Sequence, residues 1–340
     1  IPVFGPMKDA ARLEGSKEFA KSFMERFGVP TAASRSYSLT ESERVLADLD
    51  ADGAYPVVLK ADGLAAGKGV IICEDRGQVR QALDRFAGEP GLQAAAGRIL
   101  VEEFMEGEEA SVFVISDGHT SHVLHVAQDH KRIGDGDTGP NTGGMGAYCP
   151  APAVTPALME RIDREIIQPT IAGMQVSGCP YTGVLYIGLM LTPQGPKVVE
   201  YNCRFGDPEC QCILPVIEND LLELLLATTD ETLDRHRIER SAQSSCCVVM
   251  ASEGYPGPYR KGAAIHGLEP QEGGALVFHA GTALEEGHVV TSGGRVLGVV
   301  GVDASLAGAV RKAYERVEEI SFEGARFRKD IGHRGLARGE

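Results

Sequence analysis

The sequence predicts an α/β chain of the α+β kind, divided into two or three domains. Three observations carry this. The chain has 340 residues, more than one ordinary core needs. Short apolar runs of strand length alternate with longer stretches of helical period. The composition changes near residues 230–245, as it does at a domain boundary.

The elements follow in order. Ser16 to Phe27 reads as a helix: Ser16 caps it, Phe19, Phe23 and Phe27 share one face, and Gly28 then Pro30 stop it. Val57 to Lys60 is a buried strand, a Gly-rich loop follows, and Val70 to Cys73 is a second strand. Gln78 to Phe86 is helical, and Ile99 to Glu102 and Ala110 to Ser116 are strands. Asp129 to Cys149 has no period, and residues 134–146 hold six glycines, so this stretch is either disordered or functional. Pro156 to Val176 is helical. Gly183 to Leu191 and Lys197 to Tyr201 form a hairpin across Thr192-Pro193-Gln194-Gly195. Leu221 to Thr228 is a leucine-rich helix. Beyond the boundary come strands at Cys246 to Ala251, Ala275 to His279 and Val296 to Val302, and a helix at Leu306 to Ile320.

Net charge of −15 argues against nucleic-acid and membrane-surface roles, which need a basic face. No apolar run is long enough to span a bilayer, and the first residues lack the pattern of a secretory signal. A cytoplasmic chain is expected. The start at Ile1, without Met, reads as the middle of something, with a segment upstream. The eight cysteines lack zinc spacing. Cys210-Gln211-Cys212 is either a redox pair or two reduced thiols, and the second reading is favoured.

Four segments carry chemistry. In Lys60-Ala61-Asp62-Gly63-Leu64-Ala65-Ala66-Gly67-Lys68-Gly69, three glycines let backbone approach a ligand, and two lysines eight apart flank the loop. That suits a triphosphate, since opposite charges about 4 Å apart are worth around 4 kcal/mol at an effective dielectric near 20. The loop is not of the GxxxxGK[ST] kind, and the plain alternative is a hairpin turn with surface lysines. In Glu102-Glu103-Phe104-Met105, followed by Glu109, strand-end backbone can bond an adenine edge under Phe104 or Met105, and Glu109 can accept from ribose hydroxyls. The plain alternative is a solvated acidic turn. In Glu200-Tyr201-Asn202-Cys203-Arg204-Phe205-Gly206-Asp207-Pro208-Glu209, Glu200 and Asn202 alternate onto one face as hard oxygen ligands for Mg²⁺. Arg204 shares that face if the strand continues and can meet a reacting phosphate; Asp207 and Glu209 can bind an amine or a second metal. The plain alternative is an edge strand with an Arg–Glu pair. Lastly, Gln128-Asp129-His130-Lys131-Arg132 precedes Asn141-Thr142-Gly143-Gly144-Met145. Its glycines admit a small anion or sugar, its cations stand out in an acidic chain, and His130 is either a base or a hydrogen-bonded structural residue.

Together these segments resemble the ATP-grasp superfamily, and within it the phosphoribosylamine–glycine ligase family. Leu13 to Lys17, Lys60 to Val70, Gln128 to Arg132, Asp137 to Tyr148, Asn202 to Glu209, Gly254 to Gly257, Val277 to Thr282 and Arg328 to Gly332 are similar to that family's pattern, almost end to end. The resemblance implies an ATP-grasp fold with a C-terminal α+β, rudiment-hybrid-like domain. It implies residues 1–29 and 104–233 as the main subdomain, 30–103 as a lid and 234–340 as the C-terminal domain. The implied reaction couples glycine, 5-phosphoribosylamine and ATP through glycyl phosphate in purine biosynthesis, with Mg²⁺ or Mn²⁺. Lys17, Lys60, Gly67, Lys68 and Gly69 would hold phosphates, Glu102, Glu103, Phe104 and Met105 adenine, Glu109 ribose, and Glu200 and Asn202 the metal. Asp129, Lys131, Asn141, Thr142, Gly143, Gly144 and Met145 would face glycine and phosphoribosylamine. Arg204, Asp207 and Glu209 would be catalytic. The family also begins with a glycine-rich nucleotide-fold domain that this sequence lacks, and the strand before Glu200, Tyr186 to Leu189, has no second metal carboxylate. A missing N-terminal domain or a larger multifunctional purine enzyme is the expected partner; another ATP-grasp carboxylate–amine ligase and an incomplete nucleotide-binding fragment are the alternatives.

Overall fold

The computed structural model describes residues 1–53, 55–63, 69–93, 95–269 and 274–339. Four antiparallel strands form a first sheet: β1 (Ser34–Ser38), β2 (Val57–Ala61), β3 (Val70–Cys73) and β4 (Arg98–Glu103), in the order β1-β4-β2-β3. β2 and β3 are the two arms of the expected loop, paired from Val57 with Cys73 to Lys60 with Val70. Helices Ser42–Asp52 and Arg76–Gly88 cover this sheet, and Val45, Leu46, Val79, Leu83 and Phe86 close a core with Leu59, Ile99 and Val101.

The larger sheet holds nine strands. They include β5 (Glu108–Asp117) and β6 (Ser121–Asp129), a small hairpin of β7 (Arg132–Gly134) and β8 (Thr138–Asn141) branches off, and β9 (Gly146–Cys149) returns to the sheet. β10 (Thr182–Thr192), β11 (Gly195–Asn202), β12 (Ser244–Ser252) and β13 (Leu276–His279) follow. A second hairpin, β14 (Thr282–Glu285) and β15 (His288–Thr291), precedes β16 (Arg295–Asp303) and β17 (Ala325–Arg326). The order is β11-β10-β5-β6-β9-β12-β16-β13, with β17 on β12. The sheet therefore runs unbroken across the compositional change near 230–245, and one core joins Phe113 and Tyr186 with Cys247, Val249 and Val300.

The helix at Lys17–Phe27 is capped by Ser16, whose hydroxyl accepts from the N–H of Phe19, and ends at Gly28 in the left-handed region. The expected Pro156 to Val176 helix is one continuous run with a π-turn at Asp163–Ile167. The region from Asp129 to Cys149, in which no period is visible, is ordered as β7, β8 and β9. Strands this short carry too few residues to show a period of two.

Candidate active site

β11 delivers Glu200 and Asn202 to the space between the two sheets. Across the ladder they face Gly188 and Tyr186 of β10, so no side chain beyond Cα stands opposite Glu200. Lys60 leaves β2 toward the same strand. Its ammonium donates to the carbonyl of Val199 at 3.1 Å and pairs with Glu102 at 2.9 Å, with Lys60 4% exposed. This is no surface lysine. Lys21 meets the same carboxylate at 3.1 Å, and burial, partly opposed by Glu102, brings its pKa down to about 8. Lys17 donates to the carbonyl of Gly63 at 3.4 Å. Burial lowers its pKa against the attraction of Glu200. Gly67 and Lys68 lie outside the described residues.

A second group forms around Lys131. It is paired with Glu109, and Asp129 and Glu200 add to the negative field that holds its pKa well up despite burial. Asp129 is 6% exposed, and burial raises its pKa against the pull of Lys131. Glu209 is pushed up to about 8 by burial and by the charge of Asp129. Glu200 is a charged neighbour of both Lys17 and Lys131, so the two groups meet on β11. Beside them opens a cleft of about 570 Å³, lined among others by Gly107, Glu109, Asp129, Lys131, Asn141 and Arg334. A second cleft of about 830 Å³ shares Ile72, Arg132 and Asn141 with it and reaches Thr142, Gly143 and Tyr255.

Several expectations need correction. β11 stops at Asn202, so Arg204 does not share its face by alternation; its exposed guanidinium instead turns back to the amide oxygen of Asn202 at 3.3 Å and to Glu14 at 3.3 Å. Asp207 is paired with Arg295 at 2.9 Å and accepts from Gln211, which leaves it committed within the protein. The glycine pair packs closely against protein, while Gly143 also lines the second cleft. A Cβ on Gly144, at φ 114°, would stand 2.5 Å from Cδ of Pro208. The N–H of Gly143 donates to the Tyr255 hydroxyl and that of Gly144 to the Thr142 hydroxyl. Met145 is fully buried, with its N–H on the His130 carbonyl, and belongs to the core. Glu102 turns its carboxylate to Lys21 and Lys60, and Glu103 pairs with Lys197 at 2.7 Å, so only backbone and the side chains of Phe104 and Met105 remain for a base. His130 is no base: its Nε2 accepts from the N–H of Gly332, and burial lowers its pKa to about 3. The Cys210 thiol is raised to about 11 by burial, and the Cys212 thiol is buried and donates to the Ala147 carbonyl, so neither is poised for redox chemistry.

Sequence reasoning missed Lys21, Tyr255, Arg295, Arg334 and Arg338. Tyr255 stands inside a stretch that carried the resemblance, but no local pattern marked it as a site residue. Arg334 and Arg338 belong to the chain end, at and just past a five-residue helix, His333–Ala337, too short for a periodic signal. They reach the cleft by pairing with Asp137 and Glu108.

The donor set around β11 fits a hard cation. Glu200 and Asn202 offer a carboxylate and an amide oxygen, and among the described residues no cluster of three or more His, Cys, Asp or Glu side chains forms a full cage. Mg²⁺ is commonly held in this way, by one or two protein oxygens with phosphates and water completing the shell.

Residues 15–210 match the phosphoribosylglycinamide synthetase ATP-grasp (A) domain, and residues 245–334 match the C domain of the same synthetase. The chain belongs to the phosphoribosylglycinamide synthetase family. Its relatives include the phosphoribosylamine–glycine ligase of Ralstonia nicotianae, 48% identical, with 99% of this chain and 80% of that protein covered. A bifunctional purine biosynthetic protein of Schizosaccharomyces pombe is also 48% identical, but this chain spans only 42% of its length. The crystal structure of the phosphoribosylamine–glycine ligase of Thermotoga maritima superposes with a TM-score of 0.86 at 36% identity, covering 96% of this chain and 81% of that one. A biotin carboxylase domain of Hydrogenobacter thermophilus, at 18% identity and a TM-score of 0.72 over 95% of this chain and 69% of that one, shares the fold. As a member of this synthetase family the chain is an ATP-dependent ligase with an ATP-grasp fold. Among the described residues no helix is long and apolar enough to cross a membrane.

Proposed function

We propose that this chain joins glycine to 5-phosphoribosylamine at the expense of ATP, giving glycinamide ribonucleotide, ADP and phosphate in purine biosynthesis in the cytoplasm. The observation that carries the reading is the gathering of Lys17, Lys60 and the Lys131 group around β11, the strand that bears Glu200 and Asn202, in a member of this synthetase family. Phe104, Met105 and the backbone beside them border the adenine, and Glu109 takes the ribose by exchanging its bond to Lys131 for ribose hydroxyls. Lys17, Lys60, Gly67, Lys68 and Gly69 hold the phosphates. Glu200 and Asn202 would hold Mg²⁺ or Mn²⁺, which when bound neutralises phosphate charge that the Glu200 carboxylate would otherwise repel. Arg204 orients the reacting phosphate.

A carboxylate oxygen of glycine attacks the γ-phosphorus and ADP leaves. The amine nitrogen of phosphoribosylamine then attacks the acyl carbon, the C–O bond to phosphate breaks, and the amine releases a proton. The chain's work is positioning and charge balance. Asp129, Lys131, Asn141 and Thr142 line the acceptor side, and Glu209 adds a buried carboxyl close to Asp129. Residues 30–103 act as a lid that keeps water from the acyl phosphate, over a main subdomain of 1–29 and 104–233 and a C-terminal domain of 234–340.

The test is ADP release in the presence of phosphoribosylamine. It is expected to depend on glycine, and release indifferent to glycine ends the proposal. In the same assay Glu200→Ala is expected to abolish Mg²⁺-dependent turnover; an unaffected rate would remove Glu200 from the metal site.

A further inference from the structure

The β7–β8 hairpin, which carries Arg132 and Asn141 into both clefts, has little core of its own. Its β8 residues are all exposed and its β7 residues half-buried. What holds it is the end of the chain. Arg328 is 1% exposed, yet its guanidinium makes four hydrogen bonds. Nε and Nη2 donate to the two oxygens of Asp330, each at 2.7 Å. Nη1 donates to Asp137 at 2.8 Å and to the carbonyl of Arg132 at 3.1 Å. Asp330 also accepts from the N–H of Gly136 at 2.8 Å, and Asp135 accepts from the N–H of Lys329 at 2.8 Å. Asp137, at φ 55°, is a non-glycine residue in the left-handed region, a conformation that persists only where the surroundings fix it. Arg334 pairs with its second oxygen. At the hairpin's foot, Gly332 donates to His130 at 3.0 Å.

Nothing in the chemistry above uses Arg328, although a buried charge is retained only where its partners are fixed. We propose that Arg328 is a positioning residue: it braces the β7–β8 hairpin against the chain end and so aims Lys131, Arg132 and Asn141 at the acceptor substrate. This rests on the reading of the cleft as the acceptor site. The role needs a guanidinium, because the planar fork meets both oxygens of Asp330 while a third donor reaches Asp137; an ammonium cannot do both.

The experiment compares the wild-type chain with Arg328→Lys and Asp135→Ala. The second removes only the exposed acceptor for Lys329 and touches neither core nor cleft. KM for phosphoribosylamine, KM for ATP, melting temperature and hydrogen exchange at residues 132–141 are measured. Arg328→Lys is expected to raise the acceptor KM about tenfold or more, to leave the ATP KM within about twofold, and to speed exchange in the hairpin. Asp135→Ala is expected to act in the same direction more weakly, at unchanged melting temperature. Wild-type acceptor KM and exchange in Arg328→Lys overturn the proposal. So does an equal rise in both KM values with a lowered melting temperature, which is the mark of a general structural role. If Arg328→Lys does not fold, Asp135→Ala decides alone by the same two readouts. If the wild-type chain shows no acceptor-dependent turnover, the functional reading has failed, and exchange at 132–141 decides the brace by itself.

Discussion

Lys131 sits among Glu109, Asp129 and Glu200 because β5, β6 and β11 each turn a carboxylate toward one point. Crowded carboxylates in low dielectric cannot all ionise, so the group beside them yields. Glu209 yields most visibly: burial first, then Asp129, raise it from an ordinary 4.5 to about 8. The folded chain thus binds a proton that the unfolded chain releases. Its stabilising contribution is complete below pH 4.5 and is lost as pH rises through about 8. Urea titrations across this window are expected to show wild-type stability falling with pH, and Glu209→Gln showing a flatter profile; equal slopes would refute the assignment. The residue types at these positions could be read from the sequence. Their charge states could not, because a pKa depends on neighbours far away in the chain.

At the scale of elements, the joint between the small sheet and the body is a buried ion triad. Glu102 of β4 is 2% exposed between Lys60 of β2 and Lys21 of the Lys17–Phe27 helix. Breaking such a group leaves two buried cations without their counter-charge, at a cost of about 3–5 kcal/mol. Glu102→Ala is expected to lower unfolding free energy by roughly that amount, measured by chemical denaturation, and a loss below about 1 kcal/mol, the scale of an exposed pair, would contradict the buried geometry. Long elements were legible: the capped helix from Ser16, the β10–β11 hairpin and the leucine-rich helix all stand where period and turn residues put them. The short strands β7, β8 and β9 were not, because their order comes from Arg328, Asp330 and β12 rather than from local pattern.

For the whole molecule, the two sheets have separate cores; Lys60 reaches β11 across the gap at the Val199 carbonyl, and Glu102, on the same small sheet as Lys60, joins it to Lys21 of the Lys17–Phe27 helix. Ligand phosphates bridging β2 and β11 would tie the sheets together. Adding ATP and Mg²⁺ is therefore expected to slow hydrogen exchange in residues 57–73 more than in β12 or β16; uniform protection, or none, would argue against a lid. The sequence by itself determined the residue types of the nucleotide and metal sites, the long elements and the family resemblance, because motif spacing and helical period are local properties. Only the tertiary structure decided which candidates face the cleft. It buried Met145, paired Asp207 with Arg295, set Arg204 beside Asn202 from outside the strand and brought Arg334 in from the chain end. Each of those outcomes is set by packing and charge between segments far apart in the chain, and no local pattern records them.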